Sequence, residues 1–285
     1  MGLCPGTAVE DDTTPQLTGH ARLPHMRRLL PVTDLTTRAP RPEAATDREW
    51  TLDELAEAYA YPGGERPWLR ANMVTTLDGA AQHDGRSQGI SCATDMRIFG
   101  TLRGLADVVL VGAETVRLEG YRPARAREAF AERRAAAGQG PAPAIAVVTA
   151  SLDLDFSLPL FVSPLVPTLV ITGAGAPSDR VHAARDAGAE VLFAGEGAVV
   201  EPARAVAELA ARGHTRLLTE GGPRLLGQFV AADVLDELCL TVSPMLTAGG
   251  AQRIATGPGV TVPERFSLTS LLEEAGFLFS QYGKI

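Results

Sequence analysis

Cysteine is scarce in this chain, and no pattern that cysteine and histidine make around a metal occurs. Cys4, Cys92 and Cys239 are odd in number and far apart. That excludes a disulfide framework and suggests a reducing, cytoplasmic setting. His20, His25, His83, His182 and His214 fall in no H-x-x-x-H spacing, and no C-x-x-C pair accompanies them. Neither a zinc site nor the H-x-E…P-C-x-x-C deaminase signature is therefore present. No apolar run approaches the ~18 residues of a membrane span. Residues 1–25 lack the basic start and continuous apolar stretch of a signal peptide. Positive charge is in deficit, with 26 Lys and Arg against 34 Asp and Glu, and no basic stripe is interleaved with aromatics. Nucleic acid is not the expected partner. Two nucleotide-binding patterns are missing as well. G-x-G-x-x-G follows no strand-like segment and G-x-x-x-x-G-K-[ST] occurs nowhere, which excludes the Rossmann fingerprint and a P-loop.

What remains is an ordinary globular composition, 45% hydrophobic over 285 residues, enough for one large domain or two small ones. Residues 1–25 are rich in Thr, Pro, Gly and Asp without periodicity and read as a disordered extension. The segment Met26-Arg27-Arg28-Leu29-Leu30-Pro31 looks like a natural beginning. Residues 26–66 read as a peripheral segment, with one short helix within 47–61 whose Leu52, Leu55 and Tyr59 share a face. The core of a single domain is expected over 67–285.

From Pro67 onward, strand and helix signals alternate. Residues 68–76 read as a strand ending in the turn Leu77-Asp78-Gly79. Ser91 or Thr94 is expected to cap a helix that runs to about Leu105, with Ile98, Phe99, Leu102 and Leu105 inward. Residues 108–111 are continuously apolar and predict a central strand buried on both faces, followed by a loop at 112–116. Residues 124–138 read as an exposed helix or a mobile surface segment. Strands are expected at 144–149, 167–172, 190–193, 215–219 and 236–243, and helices at 178–188, 201–212 and from Pro223. Residues 266–282 read as a late hairpin. Such alternation implies a mostly parallel mixed sheet with helices on both faces, and ligands at the carboxyl ends of its strands.

One strand end stands out. Glu220-Gly221-Gly222-Pro223 lies between a short β-like run and a helix-spaced apolar run. Two glycines opening into a helix leave backbone N–H groups free beside the positive end of the helix dipole, which suits a nucleotide pyrophosphate. Pro223 fits the first helical position, where its missing N–H costs nothing. Glu220 would repel phosphate there unless it faces elsewhere. Either the glycines hold a cofactor and Glu220 faces a substrate, or this is a glycine turn with a capping carboxylate. Leu77-Asp78-Gly79 and residues 112–116 also occupy strand ends, which favours the first reading.

These motifs carry a resemblance. Thr75-Thr76-Leu77-Asp78-Gly79, Asp84-Gly85-Arg86-Ser87, Leu102-Arg103, the stretch 106–116, Glu220-Gly221-Gly222-Pro223 and Asp236-Glu237-Leu238 stand in the order and spacing of a known domain. From about Pro67 to its C-terminus the chain resembles the reductase domain of the bifunctional riboflavin-biosynthesis deaminase-reductases, without the deaminase half. The resemblance implies a dihydrofolate-reductase-like three-layer fold with about nine strands, NADPH as hydride donor, and a homodimer. It implies reduction of 5-amino-6-(5-phosphoribosylamino)uracil or a related pyrimidine or pteridine. The alternatives are a dihydrofolate reductase-like activity and a non-catalytic nucleotide-binding regulatory protein.

Residue by residue, the resemblance assigns Val74, Gly112, Thr115, Glu119, Gly221, Gly222, Pro223, Arg224, Leu225 and Leu226 to the cofactor. Ser87 and Arg103 fall to the substrate, and Arg103 suits a substrate phosphate. Asp78 and Glu220 are the motif carboxylates nearest the expected junction and stand as catalytic candidates. Each also has a plain structural reading: Asp78 as a turn residue, Thr115 as a helix cap, Arg103 as a cation at a helix C-terminus. Two departures are visible. Gly89 stands where the family often has Trp, and Glu119-Gly120-Tyr121 stands where Asp-Asp-Pro is usual, with Arg122, Arg125 and Arg127 beyond it.

Overall fold

Every residue of Val108–Val111 is apolar, and a strand so composed is stable only when both its faces are covered. In the computed structural model, which describes residues 26–30 and 49–285, this strand lies near the middle of a ten-stranded sheet. The strands are β1 (Arg27–Leu30), β2 (Trp68–Thr76), β3 (Val108–Gly112), β4 (Ala144–Val148), β5 (Leu169–Thr172), β6 (Glu190–Phe193), β7 (Arg216–Thr219), β8 (Glu237–Ser243), β9 (Phe266–Glu274) and β10 (Phe277–Lys284). Their order is β1-β9-β10-β8-β2-β7-β3-β4-β5-β6. All pairings from β8 to β6 are parallel, and the β1-β9-β10-β8 edge is antiparallel. The mostly parallel mixed sheet and the C-terminal hairpin are as the sequence predicts. The strand count is one higher than the resemblance implied, because β1 adds to the hairpin edge.

Helices cover both faces, as the strand periodicity of two requires. Val109 and Val111 point into one core, with Ile98 and Leu102 of α2 (Ala93–Leu105), Val116 of α3 (Ala113–Glu119) and Phe130 of α4 (Glu128–Ala136). Leu55 of α1 (Leu52–Ala58), Phe161 of α5 (Pro159–Val162) and Val181 of α6 (Ser178–Asp186) join the same core. Val108 and Leu110 point into the other core, with Leu209 of α7 (Pro202–Ala210) and Leu225, Leu226 and Phe229 of α8 (Pro223–Ala231). Burying each such Leu, Ile or Phe stabilises the fold by about 1.5–3 kcal/mol.

Two local expectations are corrected, and a third is narrowed to the helix among its two alternatives. Cys92, not Ser91 or Thr94, caps α2; its Sγ accepts the Asp95 N–H at 3.4 Å, while the Ser91 hydroxyl donates to Asp95 and the Thr94 hydroxyl to Glu274. Residues 113–119 form α3 where a loop was expected. The 124–138 stretch is anchored: Phe130 is buried, and Arg134 donates to the Gly104 and Ala106 carbonyls at the end of α2. The expectations for residues 1–25 and 31–48 lie outside the described residues.

Candidate active site

The cleft arises because β7 is short. Its four residues pair with Trp68–Ala71 of β2 on one side and Val108–Leu110 of β3 on the other. Beyond that, β2 continues to Thr76 paired with β8 alone. The chain leaving β7 turns into the gap as Glu220-Gly221-Gly222. The result is a cavity of about 650 Å³ at the carboxyl ends of the strands, where ligands of parallel sheets bind. Asn72, Met73 and Val74 of β2 form its floor, and Gly112, Thr115, Glu119, Gly222, Pro223, Arg224 and Leu225 its side. A wider groove of about 910 Å³ lies at the opposite strand ends, around Trp68, Arg70 and Glu237, and holds none of the candidate residues.

The glycine loop is fastened at each step. The Gly112 N–H donates to the Gly221 carbonyl at 2.8 Å, and the Gly222 N–H to Thr115 Oγ1 at 3.0 Å. Gly221 has φ +80°, a conformation glycine adopts freely. The Gly221–Gly222 peptide is cis. A Cβ on Gly222 would lie 2.6 Å from Thr115 Oγ1, so a side chain there would displace the hydroxyl that holds the loop. Thr115 thus holds this loop through its hydroxyl and caps no helix. No side chain caps α8. Pro223 has no N–H and the Leu226 N–H meets the Gly222 carbonyl. The Arg224 and Leu225 N–H groups remain as helix-start donors at the cavity wall. Leu226 is buried behind them. Among the described lining residues Arg224 is the one cation. Free backbone N–H groups at a helix start make a cradle of the kind that suits an anion.

Next to the glycine loop, three side chains lock together. Arg103 Nε and Nη2 donate to the two oxygens of Glu220 at 2.6 and 2.7 Å. The Tyr121 hydroxyl donates to Glu220 and accepts from Arg103 Nη2 at 2.8 Å. Burial draws the Arg103 pKa down, but Glu220 outweighs it and the net shift is upward. A left-handed Gly120 ends α3 and turns Tyr121 back toward this pair. The structure brings Arg103 and Glu220 together as a fork-to-fork pair, with Glu220 and Tyr121 at the cavity and Arg103 behind them. Ser87 and Glu119 also meet: the Ser87 N–H and hydroxyl lie 3.3 and 3.4 Å from Glu119 Oε1.

Asp78 is placed elsewhere. It does not line the cavity. Its carboxylate accepts the Thr76 hydroxyl and the N–H groups of Thr247 and Ala248, the latter at 2.6 Å. The Thr76 hydroxyl, then these N–H groups, hold its pKa below the usual carboxylate value. It pins the β2 turn to the loop after β8. The sequence reading missed Asp95, Tyr121 and Asn72, all of which line the cavity.

A profile of the RibD C-terminal domain matches residues 67–274. The chain belongs to the RibD C-terminal domain family. Among its relatives is the 2,5-diamino-6-ribosylamino-4(3H)-pyrimidinone 5′-phosphate reductase of Archaeoglobus fulgidus, 29% identical over 185 residues, covering 65% of this chain and 83% of the relative. The enzyme of the same name from Methanothermobacter thermautotrophicus is 29% identical over 196 residues, covering 68% and 86%. Of solved structures, a pyrimidine reductase-like protein from Corynebacterium diphtheriae superposes with TM-score 0.69 at 28% identity, covering 77% of this chain and 92% of that one. Acinetobacter baumannii RibD shares the fold, with TM-score 0.61 at 15% identity; the chain spans 58% of that protein's length. No helix among the described residues is long and apolar enough to cross a membrane.

Proposed function

We propose that this RibD-family chain is a nicotinamide-dependent reductase of a ribosylaminopyrimidine 5′-phosphate, using NADPH. The observation that carries the reading is the pairing of two chemistries in one cavity: an uncapped helix start with a side-chain-free glycine loop, and beside it a cluster of polar side chains. The cradle fits a pyrophosphate, because only backbone without a Cβ can approach so closely. Gly112, Thr115, Gly221, Gly222, Pro223, Arg224, Leu225 and Leu226 build that wall, with Val74 and Glu119 alongside. The named relatives are reductases of 2,5-diamino-6-ribosylamino-4(3H)-pyrimidinone 5′-phosphate, and we take that compound, rather than its uracil counterpart, as the substrate.

A reduced nicotinamide supplies a hydride. The opened sugar of such a substrate presents C1′ as an imine carbon; reduction adds hydride at C1′ and a proton at nitrogen, and the C=N bond becomes a C–N bond. The chain's contribution is positioning and charge. Glu220, held by Arg103 and Tyr121, offers the substrate a fixed polar wall. Ser87, tied to Glu119, closes the same side. Arg103 is already paired with Glu220, so it orients that carboxylate and leaves the substrate phosphate to other groups. Asp78 acts as a positioning residue: it holds the turn from which Ala81 and Gln82 reach the cavity. Arg224, among the described residues without a carboxylate partner, is the cation we assign to the 2′-phosphate that distinguishes NADPH from NADH.

Calorimetric titration of both cofactors into wild type and Gly222→Val checks the cradle. Wild type should bind NADPH more tightly than NADH, and the variant should lose both while keeping its far-ultraviolet circular dichroism. Unchanged NADPH affinity in Gly222→Val would place the pyrophosphate elsewhere.

A further inference from the structure

Hydride added at C1′ leaves an electron pair on the neighbouring nitrogen, and a proton must arrive there. Most acids at the cavity are already committed as acceptors. Glu220 takes two hydrogen bonds from Arg103 and one from Tyr121. Asp95 takes the hydroxyls of Thr241 and Ser91, and Glu119 takes that of Ser87. The Cys92 sulfur accepts the Asp95 N–H as the cap of α2. Glu114 is exposed at the start of α3. Tyr121 differs: it lines the cavity and brings an ionisable proton of its own. It also falls where the family pattern has Pro, which carries no hydroxyl.

The surroundings of Tyr121 suit a group that gives up a proton. Its backbone N–H donates to the Val116 carbonyl at 3.1 Å. The Arg103 guanidinium carbon lies 5.2 Å from its ring centroid and 4.4 Å from that of Phe99. Arg103 Nη2 donates to the phenol oxygen at 2.8 Å. A guanidinium keeps its charge at any working pH, so it stabilises the phenolate left when the proton departs. Glu220 opposes that charge, but the same Nη2 also donates to Glu220 and lies between the two. A phenol hydrogen turns about its C–O bond. One hydroxyl can therefore donate to Glu220 or to a substrate nitrogen.

We propose that Tyr121 is a further catalytic residue of this site, the acid that gives its hydroxyl proton to the substrate nitrogen as hydride reaches C1′. NADPH becomes NADP⁺, the C=N bond becomes a C–N bond with one new C–H and one new N–H, and the phenolate beside Arg103 regains its proton from water. The proposal rests on the pyrimidine-reductase reading and deepens it. The test is single-turnover NADPH oxidation by the full chain with the 2,5-diamino-ribosylaminopyrimidinone phosphate, so that product release does not mask the chemical step. Tyr121→Phe keeps the ring and loses the hydroxyl. Its rate should fall by ~10²-fold or more, the scale of general-acid help, with calorimetric NADPH affinity unchanged. Placing 3,5-difluorotyrosine at position 121 separates proton donation from the hold on Glu220, because the hydroxyl stays and its acidity rises. The acid must be protonated to act, so the wild-type rate should fall as pH rises through the titration of the phenol. The fluorinated chain should show that fall at lower pH. Cys92, pushed up by burial, also titrates in the alkaline range, and fluorination would leave its effect in place. A Tyr121→Phe rate within a few-fold of wild type overturns the proposal. So does an alkaline fall that fluorination does not move, which would assign Tyr121 to holding Glu220 alone. A wild type that binds NADPH but reduces no pyrimidine phosphate overturns the reductase reading, and the proposal with it.

Discussion

Asp78 shows how a residue's surroundings redefine it. In sequence it is a carboxylate at a strand end beside a glycine, a position that suits proton transfer. In the structure all its contacts are spent on Thr76, Thr247 and Ala248. Asp78→Asn keeps one acceptor and loses the other, so the loop after β8 loosens, along with the Ala81-to-Gln252 hydrogen bond that ties it to the cavity. The expected result is a kcat/KM lower by roughly 10-fold, carried mainly by KM, the scale of one charge-assisted hydrogen bond. Steady-state kinetics checks this. A ~10²-fold fall in kcat at unchanged KM is the signature of lost acid–base help and would return Asp78 to the reacting atoms. The Arg103–Glu220 pair carries the same lesson. The two residues are 117 positions apart, and nothing local in either motif says that they neutralise each other. Asp95 was overlooked for a related reason: an acid in the first turn of a helix is already explained by the helix dipole.

At the scale of elements, the strands were legible because their apolar residues run continuously, as in β3, or alternate, as in β2. β2 spans the nine residues that alternation predicts, and α8 starts at Pro223 as expected. α3 was not legible: it has seven residues and one buried side chain, Val116, too little for a helical period to register. The cap of α2 was misplaced because Ser and Thr outrank Cys as cap residues, whereas here both hydroxyls are taken by side chains. Packing of α8 offers a direct check on the frame. A Cβ on Gly227 would fall 1.9 Å from the Thr256 carbonyl oxygen, which is backbone and cannot swing aside. In an exposed helix Gly→Ala gains stability. Here Gly227→Ala should cost about 1–3 kcal/mol by overpacking, read as a lower midpoint in urea unfolding. A gain in stability would mean that the 254–257 loop does not pack on α8.

For the molecule as a whole, the fold places two unlike surfaces about one strand. β2 is shared by both: its β7 side opens on the glycine cradle and its β8 side carries Asp95 through Thr241. That arrangement follows from a four-residue β7, a fact no motif announces, although the family resemblance implied its consequence. The central claim is that the cavity holds a hydride donor and a ribosylaminopyrimidine phosphate together. The most direct test is the rate of NADPH oxidation, followed at 340 nm, by the purified full chain with the 2,5-diamino-ribosylaminopyrimidinone phosphate and with dihydrofolate in parallel. The account predicts turnover with the pyrimidine phosphate at a kcat/KM well above that with dihydrofolate, and none without NADPH or NADH. Turnover of dihydrofolate alone, or of neither compound by a chain that still binds NADPH, would contradict it.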